Sequence, residues 1–278
     1  MTHSTPLEST GELGKRIASG IVMAALAVGA VALGGWPFAL FWTAAAAGVF
    51  WEWSAIAASG AAAVRVAGIA ALIAAALAAG AGQIYPACIA LAAGVVAVAA
   101  ACPRGRRGWG AAGVAYAGVL LLAPIALRRD REMGLFAILF LFAVVWSTDI
   151  LGYFVGRAIG GVRLAPHISP SKTWSGACGG ALGALACGVA LVYVAGNTAL
   201  LPAAGVAFVL SVASQAGDLF ESAVKRQFGV KDASHVIPGH GGLMDRLDGF
   251  IAASGAAALV GIIRGGLDAA ARGLLLWS

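Results

Sequence analysis

Long apolar segments recur along almost the whole chain and leave little sequence from which a polar surface could be built. A helix needs about 20 mostly apolar residues to cross the hydrocarbon core of a bilayer. We predict nine spanning helices, at 17–35, 37–58, 66–82, 84–102, 109–127, 134–156, 174–195, 200–224 and 247–264. Charged residues make up 11% of the chain, against about 25% in an ordinary soluble domain. The sequence therefore predicts an all-α, polytopic transmembrane helix bundle that forms one integral membrane domain over 1–278, with 1–14 as a disordered tail.

Basic residues gather at alternate ends of these segments, which predicts an orientation. Cytoplasmic loops of membrane proteins are enriched in Lys and Arg. A cytoplasmic N-terminus places most of the 18 basic residues inside, and the segment RRDRE at 128–132 is the main exception. The net charge of +6 then reflects topology and anionic lipid rather than nucleic acid. We expect an integral protein of a bacterial inner membrane, with membrane lipids and no nucleic acid as partners.

The first polar stretch of the second half covers 147–176. Asp149 lies in an otherwise apolar helix, where an unpaired acid is costly and is a functional candidate by default. The loop that follows carries Arg163, Ser169 and Lys172, whose side chains suit phosphate oxygens. An ordinary positively charged loop is the alternative interpretation. In the first half, Glu52 lies between two tryptophans, and we expect an interfacial position without chemistry for it.

The second polar stretch, 214–232, ends at the same predicted membrane face. At about 100° per residue, Glu221, Ser222 and Lys225 share one helix face with Asp218. A buried acid on a face that leads to Lys225 and Arg226 indicates an ion or phosphate site. A helix-stabilising ion pair with a snorkelling lysine is the alternative.

The third polar stretch, 231–250, contains a glycine-rich loop and two acids. Backbone N–H groups of such a loop, together with the helix N-terminus after it, can bind anions. Asp245 and Asp248 are three residues apart and share a helix face. Paired carboxylates beside a phosphate site suit Mg²⁺, and Arg246 can balance their charge. His240 is either a general base or a donor to phosphate.

The segment from 222 to 248, SAVKRQFGVKDASHVIPGHGGLMDRLD, closely resembles the hallmark motif of phosphatidate cytidylyltransferases, also called CDP-diacylglycerol synthases. The order of the motif is S, K-R, K-D, P-x-H-G-G and D-R-x-D, and every element is present at the spacing of the family. The upstream segments DILGYFVGR and LAPHISPSKTWSG are also similar to the family, although Ser175 stands where the family commonly has Glu.

This resemblance implies an enzyme that makes CDP-diacylglycerol and pyrophosphate from CTP and phosphatidic acid in phospholipid biosynthesis, with residues 145–250 as the catalytic region facing the cytoplasm. It implies Mg²⁺ held by Asp218, Asp245 and Asp248, with room for a second cation such as K⁺. Lys225 and Arg226 complete the expected catalytic set. The expected substrate-binding residues are Asp149, Arg163, Ser169, Lys172, Ser222, Lys231, Asp232, Gly239, His240, Gly241, Gly242 and Arg246.

The resemblance also suggests a homodimer. Two alternatives remain open at this point. One is a CTP-dependent polyisoprenol kinase, and the other is an ion-coupled transporter in which Asp149 and Asp218 are ion ligands.

Overall fold

The fold is described from a computed structural model, which describes residues 10–196, 198–234 and 241–277. Over these residues the chain forms nine long helices, one hairpin and a short C-terminal helix. In chain order the elements are α1 (Thr10–Leu33), α2 (Gly35–Ala57), α3 (Ala62–Gly80), α4 (Ile84–Ala101), α5 (Arg107–Arg128), α6 (Gly134–Ile159), β1 (Arg163–Ala165), β2 (Ser169–Thr173), α7 (Trp174–Val194), α8 (Leu200–Gln227), α9 (Met244–Gly265) and α10 (Ala270–Leu275).

The all-α bundle predicted from the sequence is confirmed, whereas the count of nine spans is not. Each predicted span coincides with a long helix, but only α3 to α9 are both long and apolar enough to cross a membrane among the described residues. Helix α2, which contains Glu52 and four tryptophans, is not among these seven. Helix α1 begins at Thr10, inside the expected tail, and its side chains are described only from Ser19 onward. Residues 1–9 lie outside the described part.

Side-chain contacts tie the helix ends together at each face of the bundle. At one face, Arg106 donates hydrogen bonds of 3.2 and 3.1 Å to the carbonyls of Ile56 and Ala57 at the end of α2. Arg226, at the end of α8, donates to the carbonyl of Ile168 at 3.3 Å. We call this face, which carries the β1–β2 hairpin and the start of α9, the site end.

The opposite face, which we call the far end, carries the RRDRE segment, which the predicted orientation places outside the cytoplasm. Contacts at this face compensate charges of the segment. Asp130 is 2% exposed and accepts hydrogen bonds from the backbone of Glu132 and Met133. It also lies 3.1 Å from Arg272 Nε, which ties α10 to the α5–α6 turn. Burial acts to raise the pKa of Asp130, but the hydrogen bonds from Met133, Glu132 and Arg272 outweigh it, and the pKa is lowered.

Helices α6 and α7 approach one another through glycine. A Cβ atom at Gly176 would lie 2.7 Å from the carbonyl oxygen of Gly152, and one at Gly180 would lie 2.6 Å from the carbonyl oxygen of Thr148. Small residues permit such backbone contact between membrane helices. The contact fixes the part of α6 that carries Asp149.

A short antiparallel hairpin joins α6 to α7 at the site end and adds strand to the predicted all-helical fold. Its register pairs Arg163 with Thr173 and Ala165 with Ser169. The side chain of Thr173 accepts a hydrogen bond from the backbone N–H of Gly176 and caps α7. Ser175, which replaces the commoner Glu, donates a 2.5 Å hydrogen bond to the carbonyl of Gly160. The hairpin therefore presents Lys172 from a fixed strand.

Candidate active site

The candidate site forms where α8 and α9 cross at the site end. A Cβ atom at Gly217 would lie 2.7 Å from the carbonyl oxygen of Asp248, and one at Gly249 would lie 2.5 Å from Ser214 Oγ. Glycine at these two positions lets the helix backbones touch. Asp218 follows Gly217 in α8, and Asp248 precedes Gly249 in α9. The crossing therefore brings Asp218 close to Asp248.

One cluster of acids gathers at this crossing. Asp149 and Asp218 both act electrostatically on Asp248, so α6, α8 and α9 each contribute a carboxylate. Lys172 forms an ion pair with Asp218, and Ser222 Oγ lies 3.5 Å from Asp218 Oδ1. We call Asp149, Asp218 and Asp248 the acidic cluster.

A second cluster, one helical turn closer to the end of α8, has a different character. Lys225 Nζ lies 2.6 Å from Asp245 Oδ1 and 2.7 Å from Glu221 Oε2. The three side chains are 12%, 10% and 0% exposed, respectively. We call Lys225, Asp245 and Glu221 the lysine triad, because a single cation is shared by two buried carboxylates.

The three acids expected to hold Mg²⁺ are thus divided between the two clusters. Asp245 Oδ2 accepts hydrogen bonds from the N–H groups of Ala233 at 3.0 Å and Gly242 at 2.8 Å, in addition to its contact with Lys225. Among the described residues, no group of three His, Cys, Asp or Glu side chains could hold a metal ion. The assignment of Asp245 as a metal ligand stays a prediction.

The acidic cluster nevertheless fits Mg²⁺ by its donor chemistry. This ion needs one or two carboxylates and completes its shell with water and substrate phosphate. Asp218 and Asp248 supply two carboxylates in an apolar bundle. Lys172 and Arg246 act electrostatically on Asp149 beside them, which offsets only part of the negative charge. A divalent cation would supply the remaining compensation.

The start of α9 binds protein carboxylates, although the sequence indicated a cradle for substrate phosphate there. The N–H of Gly242 donates to Asp245, and the N–H groups of Leu243 and Met244 donate to Glu52 at 2.9 and 2.7 Å. These donors are therefore occupied. Gly241 has a φ of +81°, which favours glycine. Gly239 and His240 lie outside the described residues.

The remaining sequence candidates lie around the rim of the site end. Arg226 donates to the carbonyls of Ile168 and Val230, and Arg163 donates to the carbonyl of Pro170. Ser169 is half-buried in β2, while Lys231 and Asp232 are exposed. The structure thus brings together the acids and Lys172, Ser222, Lys225 and Arg246, and leaves Arg163, Lys231 and Asp232 at the surface.

Two residues of the first half reach the site, and sequence reasoning missed both. Glu52 is 1% exposed and accepts hydrogen bonds from the segment around the start of α9, whereas the sequence suggested an interfacial side chain without chemistry. Tyr116 of α5 acts electrostatically with Asp248, Glu221 and Asp218. Its hydroxyl is buried and has no hydrogen-bond partner among the described residues. Neither residue belongs to a motif, and the tryptophans that flank Glu52 suggested an interface.

A family model matches most of the chain, whereas individual relatives match about half of it. A family model described as "Cytidylyltransferase family" matches residues 14–263. A phosphatidate cytidylyltransferase of Brucella abortus biovar 1 (strain 9-941) is 52% identical over 157 residues, which are 56% of this chain and 58% of the relative. Proteins of the same name from Haemophilus influenzae (strain ATCC 51907 / DSM 11121 / KW20 / Rd) and Bacillus subtilis (strain 168) are 43% identical over 142 residues and 39% identical over 137 residues. These two matches cover 49% of this chain each, and 49% and 51% of the relatives. The chain therefore matches about half the length of the relatives.

Proposed function

Because the chain belongs to the cytidylyltransferase family, we propose that it transfers CMP from CTP to phosphatidic acid and so forms CDP-diacylglycerol and pyrophosphate. The observation that carries the proposal is the acidic cluster at the α8–α9 crossing, with Lys172 paired to Asp218. The relatives named phosphatidate cytidylyltransferase, at 39% to 52% identity, support the same reaction.

The reaction exchanges one phosphorus–oxygen bond for another. An oxygen of the lipid phosphate forms a bond to the α-phosphorus of CTP, and the bond from that phosphorus to the oxygen bridging to the β-phosphorus breaks. The electron pair of the broken bond leaves with pyrophosphate. Catalysis of such transfers rests mainly on positioning and charge stabilisation. A phosphate monoester is already anionic at neutral pH, so the step needs no strong base.

The residues of the site would divide this work between them. Asp218 and Asp248 would hold Mg²⁺, which when bound neutralises developing charge on phosphate oxygens. Lys172 and Arg246 would attract and orient the phosphates of the substrates. Lys225 would hold Asp245 in place and compensate part of the charge of Asp245 and Glu221. A second cation such as K⁺ remains an expectation.

The location of the site fits an amphipathic substrate. The acidic cluster lies toward the end of helices long and apolar enough to span a bilayer, so a phosphate could enter from the headgroup region while the acyl chains stay in lipid. We propose that this end faces the cytoplasm of a bacterium, where CTP is available. A homodimer, which the resemblance to the family suggests, is also part of the proposal, since small-residue faces permit close helix contact.

The test uses purified protein in detergent with phosphatidic acid and CTP labelled at either the α- or the γ-phosphate. We expect label from the α-phosphate, and none from the γ-phosphate, in the lipid product. Transfer of the γ-phosphate to lipid would identify a kinase, and the absence of turnover with either label would favour a transporter.

A matched pair of variants connects this activity to the site. Asp248→Asn should abolish transfer, because it removes one charge from the acidic cluster. Asp268→Asn, at the far end, should leave the rate unchanged, because that side chain is 89% exposed and pairs with Arg129, away from the acidic cluster. Equal rates in the two variants would refute the placement of the site.

A further inference from the structure

Glu52 has an unusual set of partners for an acid in the middle of an apolar helix sequence. Its Oε1 accepts hydrogen bonds from Ser234 Oγ at 2.5 Å and from the N–H of Leu243 at 2.9 Å. Its Oε2 accepts a hydrogen bond from the N–H of Met244 at 2.7 Å. All three donors belong to the segment that leads into α9, about 190 positions further along the chain.

These contacts cap a helix from a different part of the molecule. The first N–H groups of any helix lack intrahelical partners, and an acid at that end also interacts favourably with the helix dipole. The N-cap residue of α9, Leu243, makes no side-chain capping hydrogen bond. Glu52 therefore supplies from α2 the acceptor that most helices take from a neighbouring serine or aspartate.

The backbone before α9 fits closely against this carboxylate. A Cβ atom at Gly242 would lie 2.9 and 3.0 Å from the two carboxylate oxygens of Glu52. The N–H of the same glycine donates to Asp245. Glu52 and Asp245 thus take three consecutive N–H groups at the start of α9, and the position of one carboxylate depends on that of the other.

Helix α2, which carries Glu52, is itself tied to neighbouring elements. The neighbouring Trp53 donates from Nε1 to the carbonyl of Trp109 at 2.8 Å. Trp42, earlier in α2, stacks on Phe250 of α9 with ring centroids 4.7 Å apart and the rings nearly parallel. Arg106 holds the end of α2 through two carbonyls. A fixed α2 can therefore fix the start of α9.

We propose that Glu52 is a positioning residue of the active site: it anchors the first turn of α9 to α2 and thereby sets where Asp245 and Asp248 lie against α8. Asp248 lies one helical turn after Leu243 and Met244, whose N–H groups donate to Glu52. A rotation or shift of that turn would move Asp248 relative to Asp218. The activity part of this inference rests on the proposed function, whereas the anchoring part does not.

The experiment compares Glu52→Gln and Glu52→Asp with Glu132→Gln, in which the acid replaced is 70% exposed at the far end. Two quantities are measured in each: hydrogen exchange of peptides covering 241–250, and the kcat and KM of CMP transfer. In Glu52→Gln, the amide NH₂ group would face one of the backbone N–H donors and could not accept its hydrogen bond. We expect faster exchange at 241–250 and a fall in kcat of roughly tenfold to a hundredfold, because small misplacements of reacting groups have effects of that size.

The two KM values should change by less than about threefold, since Glu52 accepts hydrogen bonds from the protein and contacts no substrate in this account. Glu52→Asp keeps the charge one methylene group further away, and it should recover part of the lost kcat. Glu132→Gln should match the wild type in both quantities.

Several results would overturn the inference. One is faster exchange at 241–250 in Glu52→Gln with kcat within about twofold of the wild type, because the first turn of α9 would then be free to move without consequence. Another is unchanged exchange in Glu52→Gln, which would show that the carboxylate does not anchor that turn. If both Glu52 variants aggregate while Glu132→Gln folds, the residue serves folding rather than positioning.

Absence of CMP transfer in the wild type would refute the proposed function instead. It would leave the exchange comparison as the test of the anchor.

Discussion

Replacing Lys225 would remove the cation that the two carboxylates of the lysine triad share. With Lys225 charged and both Asp245 and Glu221 ionised, the triad carries a net charge of −1, because one cation faces two carboxylates. The substitution Lys225→Met preserves length and apolar packing but leaves a net charge of −2. Breaking a buried ion pair in this way typically destabilises a protein by about 3–5 kcal/mol. Since both pairs share one lysine, we expect about that much in total rather than twice as much.

A second substitution tests whether charge balance is the cause. Lys225→Met combined with Glu221→Gln restores the net charge of −1, and Asp245 keeps its two backbone donors. We expect the double variant to be more stable than Lys225→Met alone, with a coupling of about 1–3 kcal/mol between the two sites. The measurement is reversible unfolding in mixed micelles, followed by tryptophan fluorescence. Lys231→Met, which replaces an exposed lysine on the same face, serves as the control for stability and should change it by less than about 0.5 kcal/mol.

The same variants distinguish two roles for Lys225 in turnover. The sequence alone indicated that it binds a substrate phosphate, which predicts a raised KM in its absence. The structure places its ammonium group between two carboxylates, which predicts a lowered kcat with little change in KM, because Asp245 loses its position. If Lys225→Met raises KM without lowering kcat, or if the two substitutions destabilise additively, the charge-balance argument is wrong.

Three further predictions concern other parts of the bundle. Gly217→Ala should lower stability by about 1–3 kcal/mol and reduce CMP transfer, because the added Cβ would meet the carbonyl of Asp248 at 2.7 Å. Gly205→Ala on the same helix is the control, because no atom lies within 4 Å of the added Cβ, and it should not lower stability. Both are measured by unfolding in mixed micelles. Tyr116→Phe should leave stability unchanged, since the hydroxyl has no hydrogen-bond partner among the described residues. It should lower kcat/KM if the hydroxyl donates a hydrogen bond to the substrate. An unchanged kcat/KM would show that Tyr116 contributes only to packing. Asp130 has a lowered pKa in the folded state, so its contribution to stability is present above its unfolded pKa of about 3.9 and is lost as the pH falls through the folded value. Protection of α10 amides, measured as hydrogen exchange relative to the intrinsic rate at each pH, should fall below about pH 4 in the wild type. Asp130→Asn should show reduced protection already at neutral pH.

The helices and the principal acids could be predicted from the sequence, for a physical reason. A bilayer forces every spanning segment to satisfy its own backbone hydrogen bonds, so long apolar runs become helices with little ambiguity. Acids are so unfavourable in such runs that Asp149 and Asp218 stand out as candidates without any structural information. The structure confirms the helices and brings both acids to one cluster.

The division of the acids into two clusters could not be predicted in this way. Helical spacing places Asp245 and Asp248 on one face, but it does not show which neighbouring helix each carboxylate meets. That depends on the rotation of α9 against α8, which the close contact at Gly217 and Gly249 sets. The contribution of Glu52 was missed for a similar reason, since no local pattern reveals a partner about 190 positions away.

The acids that position the site and the acids proposed to act in catalysis differ in how their negative charge is compensated. Glu52 is matched by two backbone N–H groups and a hydroxyl, and Asp245 by Lys225 and two backbone N–H groups. These carboxylates need nothing from a ligand. In the acidic cluster, by contrast, Asp149 and Asp218 both act on Asp248, with Lys172 as the paired cation of Asp218. Uncompensated charge in an apolar bundle is costly, so a cation and its phosphate ligands would lower the free energy of the acidic cluster.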